Sequence, residues 1–138
     1  MAKIEMEVFY PYSIEKVWAA LTDPEELGSW YMRPEGFNAV VGTRFTLRSK
    51  PNPFYNGIAY CEMLDVERPS LIRWSQSDAE SGAPTFTLTW TLRAEGDGTR
   101  LSLLQDGMSG LRGQMIKMVM GAGWKGLLQK RLPLVLAR

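Results

Sequence analysis

The sequence predicts an α+β fold in which a curved antiparallel sheet of about six to seven strands wraps around a long C-terminal helix. Three observations predict it: an alternating segment at residues 3–10 precedes two short helical segments, strand-like alternation fills the middle of the chain, and helical spacing runs from Gly110 to Leu136. A sheet with one apolar face must be covered, and the terminal helix is the longest element available. The 138 residues suit a single domain over residues 1–138.

The N-terminal segment is predicted to form one strand and two short helices. Residues 3–10 alternate apolar and polar side chains, as a half-buried strand does. Ser13 stands where an N-cap is expected, and apolar residues follow it at helical spacing up to Leu21. The run Asp23-Pro24-Glu25-Glu26 supplies a capping acid and a proline at the first helical position, so a second helix should follow and end near Trp30-Tyr31.

The middle of the chain is predicted to consist of strands joined by turns. These strands are 37–40, 43–48, 58–66, 71–77, 85–93 and 99–106, of which the first two form a hairpin around Gly42. The clearest is 85–93, where threonine alternates with large apolar residues. The inward face of 58–66 stays open, because Ile58, Tyr60 and Leu64 compete with Ala59, Cys61 and Met63.

The C-terminal segment is predicted to be one long helix. Pro133 should kink or end it. Gly121 and Gly123 leave open a break at their position, since each glycine costs about 1 kcal/mol relative to alanine inside a helix.

Composition and charge exclude several classes of function. Sixteen basic and fifteen acidic residues give a net charge of +1, and neither sign forms a block, so we expect no nucleic-acid partner. The single cysteine, Cys61, cannot form an internal disulfide, and the first residues carry acids where a signal peptide needs an apolar run. No segment is long and apolar enough for a membrane span. We therefore predict a cytoplasmic protein.

The chain contains no histidine. A Ser–His or Cys–His nucleophile pair is therefore impossible, and the commonest metal ligand is missing. We predict no catalytic residues, no metal and no cofactor, and the question of whether a reaction is catalysed stays open.

Residues 10–24, Tyr-Pro-Tyr-Ser-Ile-Glu-Lys-Val-Trp-Ala-Ala-Leu-Thr-Asp-Pro, resemble the opening of the START-like (SRPBCC) superfamily. Later segments resemble its branch related to the activator of heat-shock protein 90 ATPase: residues 42–45, 62–74 and 98–103, and Gly123-Trp124 before Leu127-Leu128. The resemblance covers nearly the whole chain and implies the helix-grip (Bet v-like) fold, with a cavity between the sheet and the C-terminal helix. Members of the superfamily include lipid carriers, polyketide cyclases and chaperone activators. They commonly carry a histidine in the last strand, where this chain has Leu104-Gln105-Asp106.

We predict that a small apolar or aromatic ligand binds in that cavity. The predicted ligand contacts are Trp30, Phe45, Tyr55, Tyr60, Trp74, Gln76, Phe86, Trp90, Met115 and Met118. Aromatic side chains would form the walls, thioethers would adapt to the ligand, and Gln76 would orient it, because a buried polar group needs a partner. Ordinary core packing explains the aromatic residues as well, and this alternative stays open.

Two other functions are compatible with the resemblance. One is a cyclase or dehydratase of the polyketide type, whose site could use Tyr, Glu or Arg side chains with ordered water; Tyr60 or Glu62 in the cavity with a perturbed pKa would favour it. The other is a co-regulator of a chaperone ATPase, with a chaperone as partner. Fold alone does not decide function, so the resemblance does not choose among these alternatives. Assembly into a homodimer is also left open.

Overall fold

The computed structural model describes residues 2–51, 53, 56–80 and 84–138. The strands in this part of the chain are β1 (Ala2–Tyr10), β2 (Arg33–Glu35), β3 (Arg44–Arg48), β4 (Ile58–Glu67), β5 (Leu71–Ser77), β6 (Phe86–Glu95) and β7 (Gly98–Met108). The helices are α1 (Ile14–Thr22), α2 (Pro24–Trp30), α3 (Gly110–Gly126) and α4 (Leu132–Leu136), with a π-helical turn at Leu127–Arg131 between α3 and α4.

All seven strands belong to one antiparallel sheet in the order β1-β7-β6-β5-β4-β3-β2. β1 therefore lies at one edge, beside β7, and the short strand β2 lies at the other. The helices α1 and α2 connect these two edges, and α3 packs along β1 and β7. The predicted α+β helix-grip fold is confirmed.

The two short helices begin at the residues that the sequence indicates. Ser13 Oγ accepts a hydrogen bond of 3.3 Å from the backbone N–H of Lys16. Asp23 Oδ1 accepts from the backbone N–H groups of Glu25 and Glu26, at 2.9 and 3.1 Å. These side chains satisfy donors that the first turn of a helix leaves without partners, and they fix where α1 and α2 start.

The predicted hairpin between residues 37–40 and 43–48 is wrong. Residues 37–40 form no strand, and β3 pairs instead with Arg33–Glu35. Pro34 is tolerated in β2 because this strand lies at the sheet edge, where a missing N–H group need not break a ladder bond. Phe37 packs its ring edge-on against Phe45, with ring centroids 4.9 Å apart, and so belongs to the interior without belonging to the sheet.

Strand β4 turns its smaller side chains inward. Ala59, Cys61 and Met63 are buried, whereas Tyr60 and Glu62 lie on the outer face of the sheet. The neighbours explain the choice: Cys61 is paired with Phe45 on one side and with Gln76 on the other. A small residue fits between two large inward side chains, so Tyr60 is left outside.

The C-terminal helix is continuous through Gly121 and Gly123, and its irregular turn lies further on, at Leu127–Arg131. Pro133 provides the reason. It has no N–H group, so the carbonyl of Gln129 cannot receive the usual helical hydrogen bond, and the helix widens where the N–H of Leu132 donates to Leu127 instead.

Candidate functional site

Four tryptophan side chains meet in the interior between the sheet and α3. Trp74 comes from β5, Trp90 from β6, Trp30 from the end of α2 and Trp124 from α3, and all four are buried. The ring centroid of Trp90 lies 5.9 Å from that of Trp30, 6.2 Å from Trp74 and 5.5 Å from Trp124. We call these four residues the tryptophan cluster, and Trp90 is its centre.

Further aromatic rings extend the cluster on two sides. Tyr31 stacks on Trp30 and on Trp124, with centroid distances of 5.6 and 5.1 Å. Phe45 lies edge-on to Trp74 at 5.8 Å. Offset stacked and edge-to-face contacts are the arrangements that aromatic rings prefer, so the interior suits flat aromatic groups.

Two buried glutamines supply polar groups to this aromatic interior. Gln76 Oε1 accepts hydrogen bonds from Trp74 Nε1 at 3.1 Å and from the Tyr31 hydroxyl at 3.2 Å. Gln105 Oε1 accepts from Trp124 Nε1 at 2.7 Å. Among the described residues, the amide nitrogen of Gln105 faces only the sulfur atoms of Met108 and Met120, at 3.4 and 3.3 Å. Thioethers are weak acceptors, so this nitrogen retains most of its capacity to donate.

The indole N–H of Trp90 has no hydrogen-bond acceptor among the residues the structure describes. The other three members of the cluster are paired, since Trp30 Nε1 donates to the carbonyl of Ala20 at 2.8 Å and Trp74 and Trp124 donate to the glutamines. Leaving a buried donor unpaired costs about 1–3 kcal/mol. An unpaired donor at the centre of an aromatic interior is therefore the most unusual polar feature of the site.

Helix α3 has few buried anchors. Its buried residues are Gly113 and Trp124, of which only Trp124 has a side chain to insert. A Cβ atom at Gly113 would lie 2.8 Å from the carbonyl carbon of Met108, so the close approach there requires glycine. Beyond α3 the chain is held more firmly, because Leu128 is buried and its carbonyl accepts a 2.6 Å hydrogen bond from the Tyr10 hydroxyl.

The structure brings most of the predicted ligand contacts together in the interior. Trp30, Phe45, Trp74, Gln76, Phe86 and Trp90 are all buried. Tyr55 lies outside the described residues.

Three predicted contacts do not face the interior. Tyr60 lies on the outer face of the sheet, for the reason given above. Met115 and Met118 lie on the outside of α3, 59% and 74% exposed. Gly113 and Trp124 determine which face of α3 packs inward, and the two methionines lie on the opposite face, so their predicted inward orientation is wrong.

Sequence reasoning left Trp124, Tyr31 and Gln105 out of the predicted site. Trp124 had a usable signal, because it lies eleven residues after Gly113 and therefore three helical turns away on the same face. Gln105 occupies an inward position of β7, in line with Leu101 and Leu103. No comparable pattern marks Tyr31, which follows the last residue of α2.

Two open grooves lie outside the interior. A groove of about 570 Å³ runs between β1 and α3 and is lined by Lys3, Ile4, Met6, Lys117, Met118 and Lys125, among others. A second groove, of about 770 Å³, lies on the outer face of the sheet around Tyr60. Arg48 Nε lies 2.9 Å from Glu35 Oε2 there, close but poorly aligned for a hydrogen bond, and such exposed pairs contribute little.

The buried titratable groups are held neutral. Burial raises the pKa of the Cys61 thiol and of the Tyr10 phenol well above their ordinary values. A thiol in this state is a poor nucleophile. In the described part of the chain, no helix is both long enough and apolar enough to cross a lipid bilayer.

Known proteins share this fold and part of this sequence. Protein MLL2253 from Mesorhizobium loti is 25% identical, with a TM-score of 0.83 over 99% of this chain and 98% of its own. Protein BH1534 from Bacillus halodurans is 27% identical, with a TM-score of 0.81 over 99% and 97%. CalU16 from Micromonospora echinospora is 28% identical, with a TM-score of 0.75 over 97% and 75%. No curated protein matches the sequence.

The family model described as "Activator of Hsp90 ATPase homolog 1-like protein" matches residues 11–137, which is nearly the whole chain. The resemblance noted from residues 10–24 and from the later segments is therefore confirmed. The chain belongs to the family of activator of Hsp90 ATPase homolog 1-like proteins.

Proposed function

We propose that this protein binds a small apolar or aromatic molecule at the tryptophan cluster, between the sheet and α3. The observation that carries the proposal is the unpaired indole N–H of Trp90. Ligand sites are mostly apolar cavities with a few placed polar groups, and here a donor is placed at the centre of an aromatic interior. A ligand oxygen or nitrogen at this point would satisfy it.

The surroundings of Trp90 support a flat ligand that carries a hydrogen-bond acceptor. Trp124 lies between Tyr31, which stacks on it at 5.1 Å, and Trp90, which meets it edge-on at 5.5 Å. A planar ring in the same place would keep both contacts. Its acceptor would take a hydrogen bond from Trp90, and the amide nitrogen of Gln105 could donate a second one.

Ligand entry requires Trp124 to move, because its indole fills this place in the structure. The free-energy cost of this movement is small because α3 is weakly attached. The helix has one large buried side chain, and its five glycines lower its helical stability. The ligand would replace the contacts of Trp124 while the π-helical turn and α4 stay packed.

Titration of the protein with 2-acetylnaphthalene and 2-ethylnaphthalene, followed by tryptophan fluorescence, tests the proposal. The two compounds have similar shapes, but only the first has a carbonyl acceptor. We expect saturable quenching by both and a preference for the acetyl compound of about 3–10-fold, the range of one net hydrogen bond. Trp90→Phe should reduce the preference while preserving binding, because the Trp90 N–H is then no longer available to the carbonyl.

Substitution of Trp124 distinguishes a ligand site that the Trp124 indole closes from a protein that has no ligand site. Trp124→Leu vacates part of the ring position and should bind both compounds more tightly than the native protein. Circular dichroism provides the control for folding. Absence of saturable quenching in both the native protein and Trp124→Leu would overturn the proposal.

The interior favours binding over proton-transfer catalysis. The buried polar side chains among the described residues are Ser75, Gln76, Thr99 and Gln105, and none of them titrates near neutral pH. Tyr60 and Glu62, whose presence in the cavity would have favoured the cyclase alternative, face outward. Contact with a chaperone, assembly into a homodimer and a cytoplasmic location remain predictions.

A further inference from the structure

The outer face of α3 is apolar. Leu111, Met115, Met118 and Val119 are 81%, 59%, 74% and 70% exposed. Their spacing places them on one side of the helix, directly opposite Gly113 and Trp124. We call these four residues the outer stripe. Isolated exposed apolar residues are ordinary, but a contiguous group on one helix indicates a surface that contacts something apolar.

The orientation of the stripe is fixed by packing on the other side of the helix. Rotating α3 to bury the stripe would remove Trp124 from its stacking and hydrogen-bonding partners. It would also bring a residue with a side chain into the position of Gly113, where a Cβ atom comes within 2.8 Å of the Met108 backbone. The stripe is therefore exposed in the folded protein as a consequence of how the interior is built.

The charge of the chain is distributed very unevenly along the sequence. After Asp106 the sequence has six basic residues and no acidic one, whereas residues 1–106 contain ten basic and fifteen acidic residues. The basic residues are spread over the segment and form no run, so the sequence alone did not mark them as a block. The C-terminal segment is thus strongly cationic within a chain of net charge +1.

Three lysines meet beside the stripe. Lys117 and Lys125 of α3 line the groove next to β1 together with Lys3, and Met118 of the stripe lines the same groove. Lys3 pairs with Glu5 at 2.7 Å, while Lys117 and Lys125 form no ion pair with any described residue. An apolar stripe flanked by unpaired lysines matches a surface that is apolar and anionic at once.

We propose that the outer face of α3 docks on the surface of an anionic lipid bilayer. Apolar side chains that project from a surface helix enter the headgroup region of a bilayer to a depth of roughly 5–10 Å, and lysines beside them bind acidic headgroups. The groove that Lys3, Lys117 and Lys125 line holds the headgroups, and the outer stripe enters the layer beneath them. The docking is peripheral, and the helix lies flat on the membrane.

The charges favour this occupant over a second copy of the chain. Two copies meeting through this face would bring two cationic helices together, and like charges in contact oppose association. The stripe also has no aromatic residue, whereas aromatic side chains are enriched in the cores of protein interfaces.

Flotation of the native protein with vesicles tests the proposal. We expect binding to vesicles of phosphatidylcholine mixed with phosphatidylserine, weak binding to vesicles of phosphatidylcholine alone, and release at high NaCl concentration. Leu111→Glu combined with Met118→Glu should abolish binding, and because both side chains are exposed the fold should be retained. Val41→Glu is the matched control, since Val41 is a similarly exposed (61%) apolar residue in the turn before β3, and it should bind like the native protein.

A second pair of variants tests the lysines. Lys117→Gln and Lys125→Gln should each weaken binding about fivefold, the effect of one basic residue near an anionic surface. Lys50→Gln, an exposed lysine before β4, should change nothing.

Three outcomes would overturn the proposal: no binding to phosphatidylserine vesicles, equal binding to both vesicle types, or unchanged binding of the stripe variant. A dimer in light scattering that the stripe variant dissociates, together with no vesicle binding, would identify a second copy as the occupant instead.

Discussion

Trp124 Nε1 donates a 2.7 Å hydrogen bond to Gln105 Oε1, and this contact joins helix α3 to the inner face of strand β7. Both side chains are buried. The pair is the main polar link between the helix and the sheet, and it places the Trp124 ring against Tyr31 and Trp90.

Removing either member of this pair should destabilise the protein. Gln105→Leu leaves the indole N–H without an acceptor, and Trp124→Phe leaves the amide oxygen without a donor; each unpaired group costs about 1–3 kcal/mol. In the double variant both polar groups are gone, so its loss in unfolding free energy should be smaller than the sum of the two single losses. Urea denaturation measures all four proteins, and Gln114→Leu, at an exposed site on α3, is the control. Strict additivity would contradict the pairing.

Trp90→Phe should be milder than Trp124→Phe. Both substitutions shorten a buried aromatic side chain. Trp90 has no hydrogen-bond partner in the part of the chain that the structure describes, whereas loss of Trp124 leaves Gln105 Oε1 unsatisfied. We expect the two free energies of unfolding to differ by about 1–3 kcal/mol. Equal losses in guanidinium denaturation would show that the Trp90 N–H is satisfied in solution.

Two glycine substitutions in α3 should have opposite effects. Gly113→Ala places a methyl group 2.8 Å from the Met108 backbone, so it should push the helix from the sheet and lower the melting temperature. Gly123→Ala meets no atom within 4 Å and should raise stability by about 0.5–1 kcal/mol, because alanine favours the helix. Thermal unfolding followed by circular dichroism gives the sign of each change. A neutral or stabilising Gly113→Ala would contradict the close packing described here.

Stability should fall at alkaline pH because of Cys61. Burial raises the pKa of its thiol above the ordinary value, so the folded state keeps the proton where the unfolded chain releases it. The stabilisation is fully present below about pH 8.5, the ordinary thiol pKa, and declines above it by up to about 1.4 kcal/mol per pH unit. Cys61→Ala removes this component, so its unfolding free energy should depend less on pH between about 8.5 and 10. Parallel pH dependences in urea denaturation would show that the thiol titrates alike in both states.

Local patterns predicted much of the fold, because they depend on neighbouring residues. The threonine alternation of 85–93 identified β6, and Ser13 and Asp23 identified the starts of α1 and α2. Each of these signals acts within a few residues, so the rest of the molecule is not needed to interpret it.

The orientation of α3 could not be predicted in the same way. The spacing of Met115 and Met118 is that of an inward stripe, and periodicity cannot tell which side of a helix meets the sheet. The packing of Trp124 and the close approach at Gly113, both against β7, decide it together with the partly buried Ile116 and Met120. The inward face of β4 was ambiguous for the same reason, since it depends on Phe45 and Gln76 in the adjacent strands.

The pairing of β1 with β7 has a consequence for biosynthesis. When β1 leaves the ribosome, its partner still lies about a hundred residues further along the chain, at Gly98–Met108. Until that partner emerges, the alternating segment that contains Ile4 and Met6 cannot complete its edge of the sheet, and nascent chains must protect it from premature association. Contacts so distant along the chain also slow folding, so the closing step of this sheet should await the synthesis of β7.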